Sequence, residues 1–336
     1  MKNYNIPIFI PELACPFQCI YCNQKNISDQ LTLPTFEQIR YTIETHLRTM
    51  DLQKSIIQIA FFGGNFTGID ISLQDKYLSL ANEYVQKYKL KGIRLSTRPD
   101  YINEEILSLL KKYNVKAIEL GAQSLDDEVL KKVGRGHTTK DVETASKLIN
   151  DFGFELGLQM MIGLPGDTEL ASIKTAQKII ELKAKSTRIY PTLVIKDTSL
   201  EKLYHKGQYQ PLSLHDAIQI TKKIIPIFEN NKIQILRVGL HPSEGLITGK
   251  NLVAGPFHPS FKELVLTEIW YDKFTEHFKQ DEKYKEIKIF VNPKEYNYAV
   301  GYRGKNKIYL SNLAKQVKFY PSEFIYNRNL QVEIIK

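Results

Sequence analysis

Short β-branched and aromatic runs alternate along this chain with longer charged stretches in which apolar residues recur every three or four positions. The runs are Ile6–Ile10, Ile56–Phe62, Ile93–Ser96, Ala117–Leu120, Phe154–Ile162, Arg188–Ile195 and Ile233–Val238, and the segments between them have helical period. Such alternation predicts β/α units on a parallel sheet. In barrels of that kind the chemistry gathers at the C-terminal ends of the strands, so the residues after each run are the informative ones.

Past Val238 the pattern changes. His241-Pro-Ser-Glu-Gly-Leu246 and Gly255-Pro-Phe-His-Pro-Ser260 are rich in Pro and Gly and predict loops. Residues 241–280 therefore read as a bridging or lid segment, with His241, Glu244 and His258 as candidate polar contacts. Residues 281–336 read as a small basic α+β module. They hold eleven Lys and Arg against six Asp and Glu, net +5 of the formal +9 of the whole chain.

Composition adds bounds rather than identity. At 336 residues, 43% hydrophobic and 25% charged, the chain can bury a sizeable core as one large domain plus something smaller. No apolar run approaches the ~18–20 residues of a membrane span. The excess of 46 Lys and Arg over 37 Asp and Glu is a mild argument for a polyanionic partner. Met1-Lys-Asn-Tyr-Asn runs straight into the first strand with no signal-peptide pattern, which predicts a reducing, cytoplasmic setting.

The cysteines change the picture. Cys15, Cys19 and Cys22 are the only three in the chain, in one C-x₃-C-x₂-C run after the first strand. Three thiolates on one tight loop can hold three irons of a 4Fe-4S cluster, leaving the fourth iron open to a small molecule. A structural zinc site wants four ligands, and the nearest histidine, His46, is well outside the loop, so zinc would need a distant histidine. The odd count excludes disulfides as a complete account.

The loop resembles that of the radical S-adenosylmethionine (SAM) enzymes, in its spacing and in the aromatic Tyr21 before the third cysteine. The resemblance implies a partial (βα)₆-type barrel, a 4Fe-4S cluster on Cys15, Cys19 and Cys22, and SAM as cosubstrate, cleaved reductively to a 5′-deoxyadenosyl radical. It also implies an electron donor such as flavodoxin or ferredoxin. Gly63-Gly64-Asn65 after the second run is similar to the family's glycine-rich motif that grips the SAM amino group, although Asn65 stands where glutamate or threonine is more usual. Ser96-Thr-Arg-Pro-Asp100, Glu119-Leu-Gly-Ala-Gln-Ser124, Gly134-Arg-Gly-His137, the Gly163-Leu-Pro-Gly166 turn and Ile189-Tyr-Pro-Thr-Leu-Val-Ile195 resemble the catalytic subunit of the Elongator complex. Some of these also resemble the oxygen-independent coproporphyrinogen oxidases. By that carry-over Gln123 and Gln159 face the SAM ribose, and Arg135 the SAM carboxylate or ribose. The likeness runs from Met1 to about Val238, and Elongator's acetyltransferase domain would not fit into the residues beyond Val238.

In the tail, Ala299-Val-Gly301-Tyr-Arg-Gly304-Lys-Asn306 is similar to the G-x-x-G turn of KH modules, where glycines let a sugar-phosphate backbone approach. Gly301, Arg303, Gly304, Lys305 and Lys307 are the implied RNA contacts, against the alternative of a plain αβ cap. Together these resemblances imply a radical SAM enzyme (1–240 core, 281–336 KH-like module) acting on RNA, with a tRNA base as the foremost substrate. The alternatives are a small-molecule substrate such as a tetrapyrrole, or an iron–sulfur RNA-binding protein without turnover.

Overall fold

A computed structural model of the chain describes residues 2–11, 19–23, 32–279 and 282–336. The chain divides into two compact units, one of residues 1–213 and 224–257, the other of residues 214–223 and 258–336.

The first unit is a single curled parallel sheet with helices along the connections. In chain order its elements are β1 (Lys2–Ile10), α1 (Phe36–Arg48), β2 (Ser55–Gly63), α2 (Ile71–Tyr88), β3 (Gly92–Thr97), α3 (Glu104–Lys112), β4 (Val115–Gln123), α4 (Asp127–Lys132), α5 (Thr139–Asp151), β5 (Glu155–Ile162), α6 (Glu169–Glu181), β6 (Ser186–Pro191), β7 (Val194–Ile195) and α7 (Ser199–His205). After α8 (Leu214–Asn230), which begins in the second unit, come β8 (Gln234–Val238), α9 (Glu244–Ile247) and β9 (Leu252–Ala254). The seven long strands lie in the order β1-β2-β3-β4-β5-β6-β8, every neighbour parallel. Six of the predicted runs are strands of this half-barrel, and the seventh, Arg188–Ile195, supplies one in its first part. The helices start where side chains satisfy the first free amides: Thr35 and Gln38 form a capping box on α1, Thr138 and Asp141 one on α5, and Asn103 caps α3.

Period-two alternation sorts each strand into two faces. Ile93 and Leu95 of β3, Ile118 and Leu120 of β4 and Leu156 and Leu158 of β5 are buried apolar positions. Between them Arg94, Ser96, Glu119, Gly121, Gln123 and Gln159 share the other face, where the chemistry lies. One run differs from expectation. Arg188–Ile195 is two strands, because Pro191 has no amide to continue the ladder, and β7 turns away to pair antiparallel with β9 (Val194 with Ala254). Among the described residues no helix is long and apolar enough to cross a membrane.

The second unit contains α10 (Phe261–His277), β10 (Tyr284–Val291), α11 (Tyr296–Val300), α12 (Lys305–Ser311), β11 (Ala314–Pro321) and β12 (Leu330–Ile335). Its sheet has the order β11-β10-β12, with β10 parallel to β11 and antiparallel to β12. The boundary differs from the one the Pro and Gly pattern suggests: the unit reaches back to His258 instead of starting at 281. Trp270, Phe274 and Phe278, on and just after α10, fill its core against Ile287, Ile289 and Leu310. The indole of Trp270 donates to Glu295 Oε2 at 2.9 Å.

Candidate functional site

The cysteine loop is pinned by backbone bonds on both sides. Ile20 N donates to Val133 O just after α4 (3.1 Å), Leu200 N of α7 donates to Ile20 O (2.7 Å), and Cys22 N closes a turn onto Cys19 O (3.0 Å). Ile20 and Tyr21 wedge between two apolar clusters, one of Val129, Val133 and Leu164 and the other of Val194, Leu200 and Tyr209. The turn thus presents the side chains of Cys19, buried, and Cys22, half-buried, outside any disulfide. Arg135 Nη1 donates to Cys19 Sγ at 3.5 Å. Burial, and after it the neighbouring Cys19, push the Tyr21 phenol well above its ordinary value, so it stays protonated. Cys15 lies outside the described residues. Among the described residues, no group of three or more His, Cys, Asp or Glu gathers in a way that could hold a metal ion. Two soft thiols on one turn, one beside a guanidinium that offsets negative charge, fit an iron–sulfur cluster.

Beside Cys19, Arg135 and a pair of glutamines make two sets of hydrogen bonds at the ends of β4 and β5. Arg135 Nη2 donates to Gly121 O of β4 at 2.8 Å, and Gln159 Nε2 of β5 donates to Gln123 Oε1 at 3.0 Å. A Cβ on Gly121 would lie 2.8 Å from Gln123 Nε2 and 3.0 Å from Arg135 Nη2, so this glycine makes the room in which the two side chains meet. Gln123 has φ of +66° at an irregularity in the β4–β5 register, and this turns its side chain toward Gln159. Arg98, 1% exposed, holds Asp100 through two bonds of 2.9 and 2.8 Å and donates to Arg135 O at 2.8 Å. His137 is buried beside them, and burial, followed by the Arg135 and Arg98 charges, pushes its imidazole down to about 3.

The glycine segment after β2 is arranged differently. Gly63 has φ of +115°, and a Cβ there would lie 2.2 Å from Ile10 O, so no other residue fits. Gly64 N donates to Ile10 O at 2.7 Å. Asn65 is fully buried, and its Oδ1 accepts from Thr97 Oγ1 (2.5 Å) and Arg98 N (3.2 Å), tying the end of β2 to that of β3.

A cavity of about 1680 Å³ opens inside the half-barrel, lined among others by Tyr21, Cys22, Gly63, Ser96, Gln159 and Arg188. Of the glycine segment only Gly63 reaches this lining. The cavity exceeds the ~300–1,000 Å³ of an ordinary ligand pocket. At its wall is a buried triad that the sequence reading missed. Glu119 of β4 accepts from Arg94 Nη2 of β3 (2.8 Å) and from Arg188 of β6 through Nε (2.5 Å) and Nη2 (3.3 Å). The Arg188 guanidinium also lies 5.0 Å over the Phe62 ring. Burial opposes its charge, but the Glu119 carboxylate outweighs this and holds Arg188 more firmly protonated than usual. The signal was available, since Arg94, Glu119 and Arg188 are charges at inward positions of otherwise apolar strands.

In the second unit, Gly301, Arg303 and Gly304 form the turn between α11 and α12, with φ of +88°, +52° and +74°. Tyr302 N donates to Thr267 Oγ1 at 2.8 Å, and the buried Asn306 donates to Thr267 O at 3.0 Å, holding the turn on α10. Open space surrounds the Gly304 Cα, whereas a Cβ on Gly301 would be 2.9 Å from Asn306 N. Arg303 and Lys307 are exposed. Lys305 pairs with Glu268 and lies 4.9 Å over the Tyr271 ring, so part of its charge is already used.

Comparison with known proteins puts these features in a family. Residues 10–179 match the Radical SAM superfamily model, and residues 184–271 match the Radical_SAM C-terminal domain. A tRNA uridine(34) acetyltransferase of Methanocaldococcus jannaschii is 29% identical over 212 residues, covering 55% of this chain and 39% of that protein. Elongator complex protein 3 of Homo sapiens is 27% identical over 212 residues, covering 57% and 39%. The chain therefore spans well under two thirds of the length of these relatives. Among solved structures, the archaeal Methanocaldococcus infernus Elp3 with an N-terminal deletion superposes with a TM-score of 0.63 at 21% identity, covering 82% of this chain and 63% of that one, which is a likeness of fold. With a family model spanning half of its length and a parallel half-barrel that carries the cysteine turn, the chain belongs to the radical SAM superfamily of enzymes.

Proposed function

We propose that this enzyme binds a 4Fe-4S cluster through Cys15, Cys19 and Cys22, cleaves SAM reductively and modifies a base of tRNA. The observation that carries the reading is Arg135, which bonds both the Cys19 thiol and Gly121 O of β4, two residues before Gln123 and its partner Gln159, so that the cysteine turn is tied to β4 beside the Gln123–Gln159 pair. When bound, the cluster would supply one electron to the SAM sulfonium, giving a 5′-deoxyadenosyl radical able to abstract hydrogen.

The chain's own residues do the rest. Arg135 balances the negative charge beside Cys19 and orients the loop against β4. Gln123 and Gln159, locked by their mutual hydrogen bond, offer amide groups to ribose hydroxyls. Gly63, which lines the cavity, would offer its backbone to the methionine end of SAM. Apolar walls around Ile20 and Tyr21 shield the buried Cys19 thiol from water, while Cys22 faces the cavity.

The tRNA part is supported by the relatives, two of which are named for tRNA uridine or Elongator, and by the Gly301–Gly304 turn with exposed Arg303 and Lys307. Phosphates would approach the open Gly304, with Lys305 contributing less than its neighbours because Glu268 holds it. The electron would come from a flavodoxin or ferredoxin in the cytoplasm.

Anaerobically reconstituted protein is expected to bind about four irons and to release 5′-deoxyadenosine on reduction with SAM. Cys15→Ala, Cys19→Ala or Cys22→Ala should each abolish both, and wild-type cleavage by any of these variants would refute the cluster assignment. Mass spectrometry of tRNA nucleosides from a deletion strain should reveal one lost modification. An unchanged nucleoside profile would refute the tRNA substrate.

A further inference from the structure

The charges in the cavity do not balance. Among the described residues Glu119 is the one carboxylate bonded to both Arg94 and Arg188, and it cannot neutralise two guanidinium groups. Arg94 is 7% exposed, and its Nε has no partner among the described residues. Arg188 lies directly beside Arg237 in the β6–β8 register, and both line the cavity. Arg237 is held by the carbonyls of Gly239 (3.0 Å) and Leu240 (3.2 Å) and lies 3.2 Å from His241 Nδ1, with no acid paired to it among the described residues. The other ion pair of the lining, Lys91 with Glu155, is complete in itself.

Like charges directly across a strand pair repel, and a buried charge without a counter-charge is costly to desolvate. Two guanidinium groups on one carboxylate, with a third beside Arg188 that has no acid paired to it among the described residues, call for a further anion. The fork of Arg matches a carboxylate or a phosphate bidentately, which no lone amide could. The room exists as well, because the cavity exceeds the ~1,000 Å³ upper range of a pocket for one ligand.

We propose that Arg188 and Arg237, backed by Arg94, hold the anionic end of a small-molecule second ligand, a carboxylate or phosphate monoester, in the cavity of the first unit. Glu119 is the positioning residue: it fixes the planes of Arg94 and Arg188 and competes with the ligand for their charge. This assignment does not rest on the tRNA reading.

The test titrates cluster-loaded protein, without SAM or tRNA, with acetate, succinate, inorganic phosphate and methyl phosphate. Potassium chloride at equal ionic strength is the control, and calorimetry is the readout. At least one probe should bind above the chloride control, and whether a carboxylate or a phosphate binds best identifies the source of the anion. Arg188→Met and Arg237→Met should each weaken that probe at least tenfold. Glu119→Gln, nearly isosteric, should tighten it several-fold, a gain that a purely structural ion pair would not give. Far-UV circular dichroism checks each fold, and if Arg188→Met fails to fold, Arg237→Met and Glu119→Gln carry the test. No binding above chloride, binding indifferent to the arginines, or looser binding in folded Glu119→Gln would overturn the proposal. So would tRNA competing for these arginines when no small acid does, since the anion would then be an RNA phosphate.

Discussion

Gly121→Ala isolates the cosubstrate-facing geometry from the fold. The backbone at Gly121 is ordinary β, so alanine is allowed there, and reduced freedom of the unfolded chain should add roughly 0.4–1 kcal/mol of stability. The new methyl, however, would meet Gln123 Nε2 at 2.8 Å and Arg135 Nη2 at 3.0 Å. Both are ends of flexible side chains and can move, but only by giving up the Arg135 bond to Gly121 O and the alignment of Gln123 with Gln159. Losing that charged hydrogen bond costs about 1.5–3 kcal/mol of stability, and if the displaced Arg135 also loses one such bond to SAM, affinity falls roughly 10- to 150-fold. The assay is equilibrium SAM binding to cluster-loaded protein beside a urea melt. The expected outcome is a folded protein whose urea midpoint falls by the small net of these two terms, with weakened SAM binding. Folded Gly121→Ala with wild-type SAM affinity would refute the placement of Arg135 and Gln123 against the cosubstrate.

Gly63→Ala should behave in the opposite way, because φ of +115° and a backbone oxygen 2.2 Å away leave no room to relax; a urea melt is expected to show a loss of several kcal/mol. His137 sets a pH dependence. Its folded-state value of about 3 lies below the ~6.5 of a free imidazole, so the unfolded chain binds the extra proton, and stability is full above pH ~6.5 and falls by ~1.4 kcal/mol per unit below it. Urea midpoints at pH 5 and 7 should therefore differ more for wild type than for His137→Gln, and equal differences would refute the assignment. Gly304→Asp has open space for its side chain and a residue type that tolerates left-handed backbone, so the second unit should stay folded while tRNA affinity drops across a salt titration followed by filter binding.

Much of the half-barrel is legible in the sequence because burial acts there on contiguous residues. Runs such as Ile56–Phe62 carry both period and β-branching, and each became a strand of the one parallel sheet. The cysteine turn was legible for another reason: three thiols in eight residues have few other uses. What the sequence hid are relations between distant residues. Arg94, Glu119 and Arg188 lie on three strands, and nothing in any one run says that the charges meet. The α10 segment was hidden because its Trp270 and Phe274 are buried among residues later in the chain, while the Pro and Gly just before it dominate the local pattern. Asn65 looked like part of a ligand-gripping loop; its Oδ1 bonds to Thr97 and Arg98, formed across strands, could not be read from its neighbours in sequence.

The helix α8 belongs to both compact units: Leu214–Lys223 packs with the second and Ile224 onward with the first, and Lys222 pairs with Asp272 of α10 at 2.8 Å. The two units are thus interleaved along the gene, the second in two pieces separated by β8, α9 and β9. A fragment beginning at residue 258 would lack ten residues of its own unit. A single recombination crossover anywhere in 224–257 would take the two pieces of the second unit from different parents, so the halves of its packing would have to be inherited together or re-matched. An exchange of this unit between relatives therefore requires three splice events, at 213/214, 223/224 and 257/258, the second of them inside a helix.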